Sequence, residues 1–183
     1  MSTKKIKKFY WENRELIIIG TFAALIKIVS FLVSIMGGGM NPISMILKNI
    51  ITTALLVVLV ANVRKFGVLM LYVVITSIIS IIVFGRGMMI APGMILAGLI
   101  CDFAIKFTGG YKSNSSILLG VAIFDILFRT ISLSLGYLMM RENPKLLIFA
   151  YIAVGVGYIG CVIGLFVGNY FTKELRHAGI IRS

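Results

Sequence analysis

The sequence predicts an all-α integral membrane protein with six transmembrane helices and both termini in the cytoplasm. Of its 183 residues, 60% are hydrophobic and 13% charged, too few charges to cover a surface that faces water. The apolar residues come in runs of about twenty, the length a helix needs to cross hydrocarbon. Lys and Arg gather in alternate connections between the runs, the bias that orients a membrane protein. The mean hydropathy of +1.06 agrees. A single membrane domain over 1–183 is expected: a basic N-terminus (1–15), six helices over about 16–172 and a basic tail (173–183).

Helix 1 reads from Leu16 to about Met36 and stops at Gly37-Gly38-Gly39. Its basic start, Lys4-Lys5-Ile6-Lys7-Lys8, has the charge order of a signal peptide, but the apolar run is too long for one and no A-x-A site follows. Helix 2 follows Pro42, from about Ile43 to Ala61, and Arg64-Lys65 closes it. Helix 3 spans Phe66 to Phe84. Gly85-Arg86-Gly87 and Pro92 mark a loop, after which helix 4 continues to about Phe107. Helix 5 covers Ser116 to Met140, and helix 6 runs from after Arg141–Lys145, with Pro144, to about Thr172.

The net charge of +12 would suggest nucleic acid in a soluble protein. Here the basic residues sit between apolar runs, where they act as topogenic charge beside anionic lipid, and no nucleic-acid partner is expected. Lys4, Lys5, Lys7, Lys8, Arg14, Arg64, Lys65, Lys106, Lys112, Lys173, Arg176 and Arg182 fall on one side, against Arg86, Arg141 and Lys145 on the other. Phe9-Tyr10-Trp11 then forms an aromatic belt at the inner face. Cys101 and Cys161 lie in different apolar runs without metal-type spacing and read as small core residues. No P-loop, zinc motif or serine triad is present, so neither a resident cofactor nor a metal is expected.

Five ionisable residues fall inside the runs: Lys27, Lys48, Asp102, Asp125 and Arg129. Each costs about 2.5–3.5 kcal/mol at a helix centre unless it finds a partner or a wet cavity. Lys27 and Asp102 each lie eleven residues from their helix start on opposite sides, a depth of roughly 16 Å at 1.5 Å per residue. They are expected to form a structural ion pair. Asp125 and Arg129, four apart, share one face of helix 5, which Ser132 and Gly136 extend outward. Lys48 with Thr52, and Tyr72 with Thr76 and Ser80, make two further polar edges, whose hydroxyls are expected to bond back to their own helices.

Eight methionines flank the three outer connections: Met36, Met40, Met45, Met88, Met89, Met94, Met139 and Met140. They either fill lipid-facing helix ends or share one adaptable binding surface. Gly157, Gly160, Gly164 and Gly168 line helix 6, and Gly20 with Ala24 marks helix 1, spacings that permit close helix packing or the docking of another subunit.

In helix 1 (ELIIIGTFAALIKIVSFL), in helix 4 and its exit (PGMILAGLICDFAIKFTGGYKS) and in the ending GNYFTKELRHAGII, the chain resembles the S components of energy-coupling factor (ECF) transporters. Within them it is similar to the MptD-like, or Trep-Strep, subgroup. The resemblance implies a six-helix, substrate-binding membrane subunit that joins a T component and two cytoplasmic ATPases as an importer. It implies a T-component contact through small residues of helix 1, here Gly20, Ala23 and Ala24, with Lys27 where a small or apolar residue is usual. It also implies a ligand entering from the outer side, near Gly37–Pro42, Gly85–Pro92 and Arg141–Pro144.

The expected substrate site is therefore Met40, Lys48, Arg86, Met88, Met89, Asp125, Arg129, Met139 and Met140, with Phe84, Phe128, Tyr137 and Arg141 nearby. An adaptable apolar surface beside bases suits a vitamin- or cofactor-like ligand with an apolar body and carboxylate edges, haem or another tetrapyrrole among them. Two other classes remain: a small membrane enzyme using Asp102 or Asp125, and a non-transporting interaction protein built on the glycine faces.

Overall fold

The computed structural model describes residues 10–37, 41–84, 91–140 and 144–179, with side chains described in these ranges except at 84, 135–140, 144–150 and 153. Among them are six α-helices and no strand: α1 (Asn13–Met36), α2 (Pro42–Val63), α3 (Val68–Phe84), α4 (Ala91–Phe107), α5 (Asn114–Met140) and α6 (Pro144–His177). By length and composition α1, α2, Asn114–Ser134 of α5 and Val154–His177 of α6 qualify as membrane spans, while α3 and α4 have 17 residues each. The expected six-helix architecture is present.

Helix ends follow local chemistry. The Glu15 carboxylate accepts from the Glu12 N–H at 3.0 Å, which satisfies a free donor at the start of α1. Asn41 caps α2 by accepting from Ile43 N–H at 3.1 Å, and Pro42 occupies the first helical position, where a missing N–H costs nothing. Arg64 ends α2 in the left-handed region, φ 43°. Pro92 and Pro144 lie in the first turns of α4 and α6 rather than in the loops, by the same logic of the free N–H. α6 continues five residues beyond the expected end at Thr172, since Lys173–His177 has no breaker before Gly179 (φ 71°).

The helices enclose a core made by Ile19, Ala23 and Ile26 of α1, Leu59 and Val60 of α2, Leu69 and Val73 of α3, Cys101 and Ile105 of α4, and Val121 and Phe124 of α5. These residues belong to the half of the bundle that carries the start of α1 and the α2–α3 and α4–α5 connections, here called the basal half. Outward faces are apolar: Ile17, Ile28 and Ile35 of α1, Ile82 of α3, and Ile159 and Phe166 of α6 are exposed. Those faces suit lipid, not water.

α2 and α6 pack most intimately, and glycine is the reason. A Cβ added to Gly160 or Gly164 would lie 2.5 or 2.7 Å from the carbonyl oxygens of Ile46 or Ile50, and one at Gly168 would meet Ala54 and Val57 at 2.9–3.0 Å. The helix 6 glycines are thus consumed inside the bundle, and a docking role for that row is corrected. Gly98 serves α4 likewise, its virtual Cβ 3.1 Å from the Met70 Cα.

The basal connections are tied by polar side chains. Lys65 pairs with Glu15 at 2.7 Å and donates to the Tyr10 carbonyl at 3.1 Å. Arg64 and Arg176 both donate to Asn114 Oδ1, at 3.2 and 3.1 Å, which joins the ends of α2 and α6 to the start of α5. Some of the basic residues read as topogenic charge therefore also fasten the fold. Trp11 packs against the core beside Gly67, while Tyr10 stays exposed; Phe9 lies outside the described residues.

Asp102 does not pair with Lys27. Its carboxylate accepts from Leu69 N–H at 3.3 Å and Met70 N–H at 3.0 Å, capping the start of α3 from a neighbouring helix, and from the Tyr111 hydroxyl. The depth argument failed because α4 has only 17 residues, about 25 Å at 1.5 Å per residue. Eleven residues in, Asp102 is already past the middle. Burial, then the adjoining Asp102, pushes the Tyr111 phenol well above the usual tyrosine range, so it stays a donor.

Two stability tests follow from this packing. Gly164→Val should destabilise the protein by roughly 1–3 kcal/mol through overpacking, whereas Gly155→Val, where an added Cβ meets nothing within 4 Å, should not. Melting in detergent distinguishes them, and equal effects would contradict the α2–α6 contact. Asp102→Ala should cost roughly 1–3 kcal/mol by stranding buried donors and should speed hydrogen exchange at Leu69 and Met70. Unchanged exchange there would contradict the cap.

Candidate functional site

Above the core, in the half of the bundle away from the basal connections, the helices part around a cavity of about 250 Å³. α1 supplies Ile26, Lys27 and Ser30, and α2 supplies Lys48, Asn49, Thr52 and Leu56. Tyr72 comes from α3, and α5 contributes Phe124, Asp125, Phe128 and Arg129. Each group reflects helical periodicity: Lys27 and Ser30, Lys48 and Thr52, and the α5 residues recur at three or four positions and so share an inward face. Ionisable side chains in membrane helices normally face such an interior.

Polar contacts fix the walls. Asn49 donates from Nδ2 to the Gly157 carbonyl at 2.8 Å, holding α2 to α6 where the glycine row begins. Thr53 donates to Asp125 Oδ2 at 2.7 Å, linking α2 to α5. Arg129 donates from Nη2 to Cys161 Sγ at 3.2 Å, linking α5 to α6. Lys27 donates to Ser80 Oγ at 2.7 Å, linking α1 to α3, and Ser80 bonds back to the Thr76 carbonyl. Thr76 and Thr52 also bond back to their own helices, as expected of hydroxyls in a helix.

Asp125 and Arg129 share a face but do not form an ion pair, since the single ion pair among the described residues is Lys65–Glu15. The carboxylate turns to Thr53 and the guanidinium to Cys161. Lys48 has no hydrogen bond or ion pair to another described residue, and Arg129 Nε is buried without a partner. The cavity thus gathers three bases and one acid, with hydroxyl donors at its sides and Phe124 and Phe128 rings 5.5 Å apart along one wall. Chemically it suits a ligand with hydrogen-bond acceptors and an apolar part.

Of the expected substrate residues, Lys48, Asp125 and Arg129 come together here, as does neighbouring Phe128. Met40, Arg86, Met88, Met89 and Arg141 lie outside the described residues, and Met139, Met140, Phe84 and Tyr137 lie in helices at positions whose side chains are not described. Of the described outer methionines, Met36 is 87% exposed, while Met94 packs against the core. Lys27, Ser30, Asn49, Tyr72 and Phe124 escaped the sequence reading of the site. Lys27 carried a signal, its cost in the membrane, but had been matched to Asp102. Asn49, Ser30 and Phe124 carried none, because only the crossing of four helices assembles them.

On α1, Ala23 is fully buried in the chain's own core and is corrected as a partner contact. Gly20 and Ala24 are half-buried, and nothing lies within 4 Å of a Cβ built at Gly20. They border the exposed Ile17, Thr21 and Ile28.

The same helical arrangement occurs in a solved protein described as an S-component of an ECF transporter. The match has a TM-score of 0.60 and 14% sequence identity, and covers 93% of this chain and 88% of that one. At that identity the likeness is one of fold. No curated relative matches the sequence. A family model described as "Hypothetical bacterial integral membrane protein (Trep_Strep)" matches residues 13–144, from the first residue of α1 to the first of α6. With well over half its length in that match, the chain belongs to the Trep_Strep family of bacterial integral membrane proteins and is a multi-pass cell-membrane protein with the S-component fold.

Proposed function

We propose that the protein is the substrate-binding membrane subunit of an ECF-type importer, joining a T component and two cytoplasmic ATPases. The observation that carries this reading is the cavity, which holds Lys27, Lys48, Asp125 and Arg129 inside the membrane. Charged groups at that depth are expensive, and a substrate site is a standing reason to keep them. The S-component fold supports the same reading. The energy source would come from partners, since the chain has no P-loop.

The substrate would be a vitamin- or cofactor-like small molecule. A tetrapyrrole such as haem meets the demand for carboxylates, but four linked pyrrole rings need more room than the about 250 Å³ bordered by the described residues. A smaller cofactor suits the cavity better. Asp102 is engaged in capping α3, and the helix 6 glycines pack on α2. Those contacts leave the enzyme reading without one of its acids and the interaction-protein reading without that face.

The proposed orientation has both termini in the cytoplasm, with the cavity in the outer half. It is supported by the excess of Lys and Arg at the basal end. Reporter fusions at residue 183 should read inside, and fusions in the Gly37–Pro42 connection should read outside. A C-terminal reporter that reads outside would overturn this orientation.

The coupling face is Gly20 with Ala24, where α1 leaves room for a neighbour's backbone. Gly20→Leu with Ala24→Leu should fold and melt like the parent yet lose co-purification with the T component and ATPases, and uptake with it. Normal uptake by that double variant would place coupling elsewhere. Failure of the parent chain to associate with any T component and ATPase pair would overturn the importer reading.

A further inference from the structure

We propose that the cavity selects a small, single-ring-sized organic ligand carrying two negative charges, as paired carboxylates or a phosphate monoester, with Lys48 as its direct ion-pair partner. This rests on the reading of the cavity as the substrate site and goes further by assigning the ligand's charge and size.

The charge follows from how this chain treats its bases elsewhere. At the basal end Lys65 meets Glu15, and Arg64 and Arg176 meet the Asn114 side chain, with Arg64 also donating to a carbonyl. Each of these bases meets an acid or an amide oxygen there, although Arg176 Nε is buried without a hydrogen-bond partner among the described residues. In the cavity the pattern changes. Lys48 has no hydrogen-bond or ion-pair partner among the described residues, and Arg129 donates to a thiol sulfur, Cys161 Sγ, rather than to an acid or an amide oxygen. Lys27 donates to a neutral hydroxyl, Ser80.

Among the described residues Asp125 is the only acid at the cavity wall, set against Lys27, Lys48 and Arg129, and its carboxylate is directed to Thr53. Among the described residues this is a formal excess of two positive charges. The three bases come from α1, α2 and α5, so their mutual repulsion in a low-dielectric site favours entry of an anion between the walls. A dianion balances the site; a neutral or cationic ligand leaves the repulsion in place.

The size follows from the volume. About 250 Å³ lies below the roughly 300–1,000 Å³ of sites for drug-sized ligands, which suits one ring with its acidic groups. Phe124 and Phe128, one turn apart on α5, offer that ring an apolar wall. Arginine binds a carboxylate or phosphate through paired donors, and lysine acts as a point charge, so both acid types fit this set.

The test uses the purified full chain in detergent and titration calorimetry with two matched pairs of probes. One is pyridine-2,3-dicarboxylate against its diamide, and the other is pyridoxine 5′-phosphate against pyridoxine. At least one dianion should bind tenfold or more tighter than its neutral twin, and the pair that discriminates identifies carboxylate or phosphate. Lys48→Met and Lys27→Met should each weaken that dianion about 30-fold or more, Lys48→Met without lowering the melting temperature. Two lysine variants guard against one failing to fold.

Equal affinity within both pairs, no binding by either dianion, or dianion binding insensitive to both lysine changes would overturn the assignment. A neutral compound bound tightly in the cavity would do so too, while leaving the substrate-binding role standing. Dianion binding by a chain that associates with no T component would do the reverse.

Discussion

The backbone contact between α2 and α6 sets the geometry on which the rest of the structure depends. Gly160, Gly164 and Gly168 present no side chain to α2, and the carbonyls of Ile46 and Ile50 fill the space that a Cβ would need. In a bilayer there is no hydrophobic drive between helices, so close van der Waals approach and interhelical hydrogen bonds hold them together. The approach brings Asn49 within reach of the Gly157 carbonyl. It also sets α2 and α6 so that Thr53 meets Asp125 and Cys161 meets Arg129. The cavity wall is built on that seam.

The two halves of the bundle solve different problems. The basal half is closely packed, with Ile19, Leu59, Leu69, Ile105 and Val121 fully buried, and Lys65–Glu15 and the Arg64 and Arg176 bonds to Asn114 tie its helix ends. The other half sets three bases against one acid, among the described residues, around a space large enough for a ligand. Two aspartates show the contrast. Asp102 is held by two backbone N–H groups and Tyr111, so it stabilises the start of α3. Asp125 has only side-chain partners, the Thr53 hydroxyl and the Cys161 thiol, and borders the cavity. Their residue type is identical; the number of fixed donors around each decides its role.

The surface of α1 divides similarly. Ala23 faces inward at the core, whereas Gly20 and Ala24 lie at the edge of an apolar face with Ile17 and Ile28. One residue along a helix turns a side chain by about 100°, enough to separate a core position from one open to a neighbour. That face lies on the helix that also carries Lys27 into the cavity. A shift of α1 against a partner would therefore be felt at the ligand.

The sequence by itself determined the number of helices, their order and most of their ends. These depend on local chemistry: the length of apolar runs, proline at first turns, glycine and bases at the ends. It also marked Lys48, Asp125 and Arg129, because charge in an apolar run is conspicuous whatever the fold. Tertiary structure alone decided their partners. Spacing along α5 put Asp125 and Arg129 on one face, but Thr53 and Cys161 arrive from other helices and take the two groups. Equal counts from the helix ends matched Lys27 with Asp102, yet α4 is short and the start of α3 lies beside it, so the carboxylate was claimed by backbone donors. Asn49, Ser30 and Phe124 belong to the site only through the crossing of helices, which no local signal encodes. Depth and spacing constrain a residue along its own helix; what it meets depends on how closely the helices approach, and here that was set by the glycines that α6 turns towards α2.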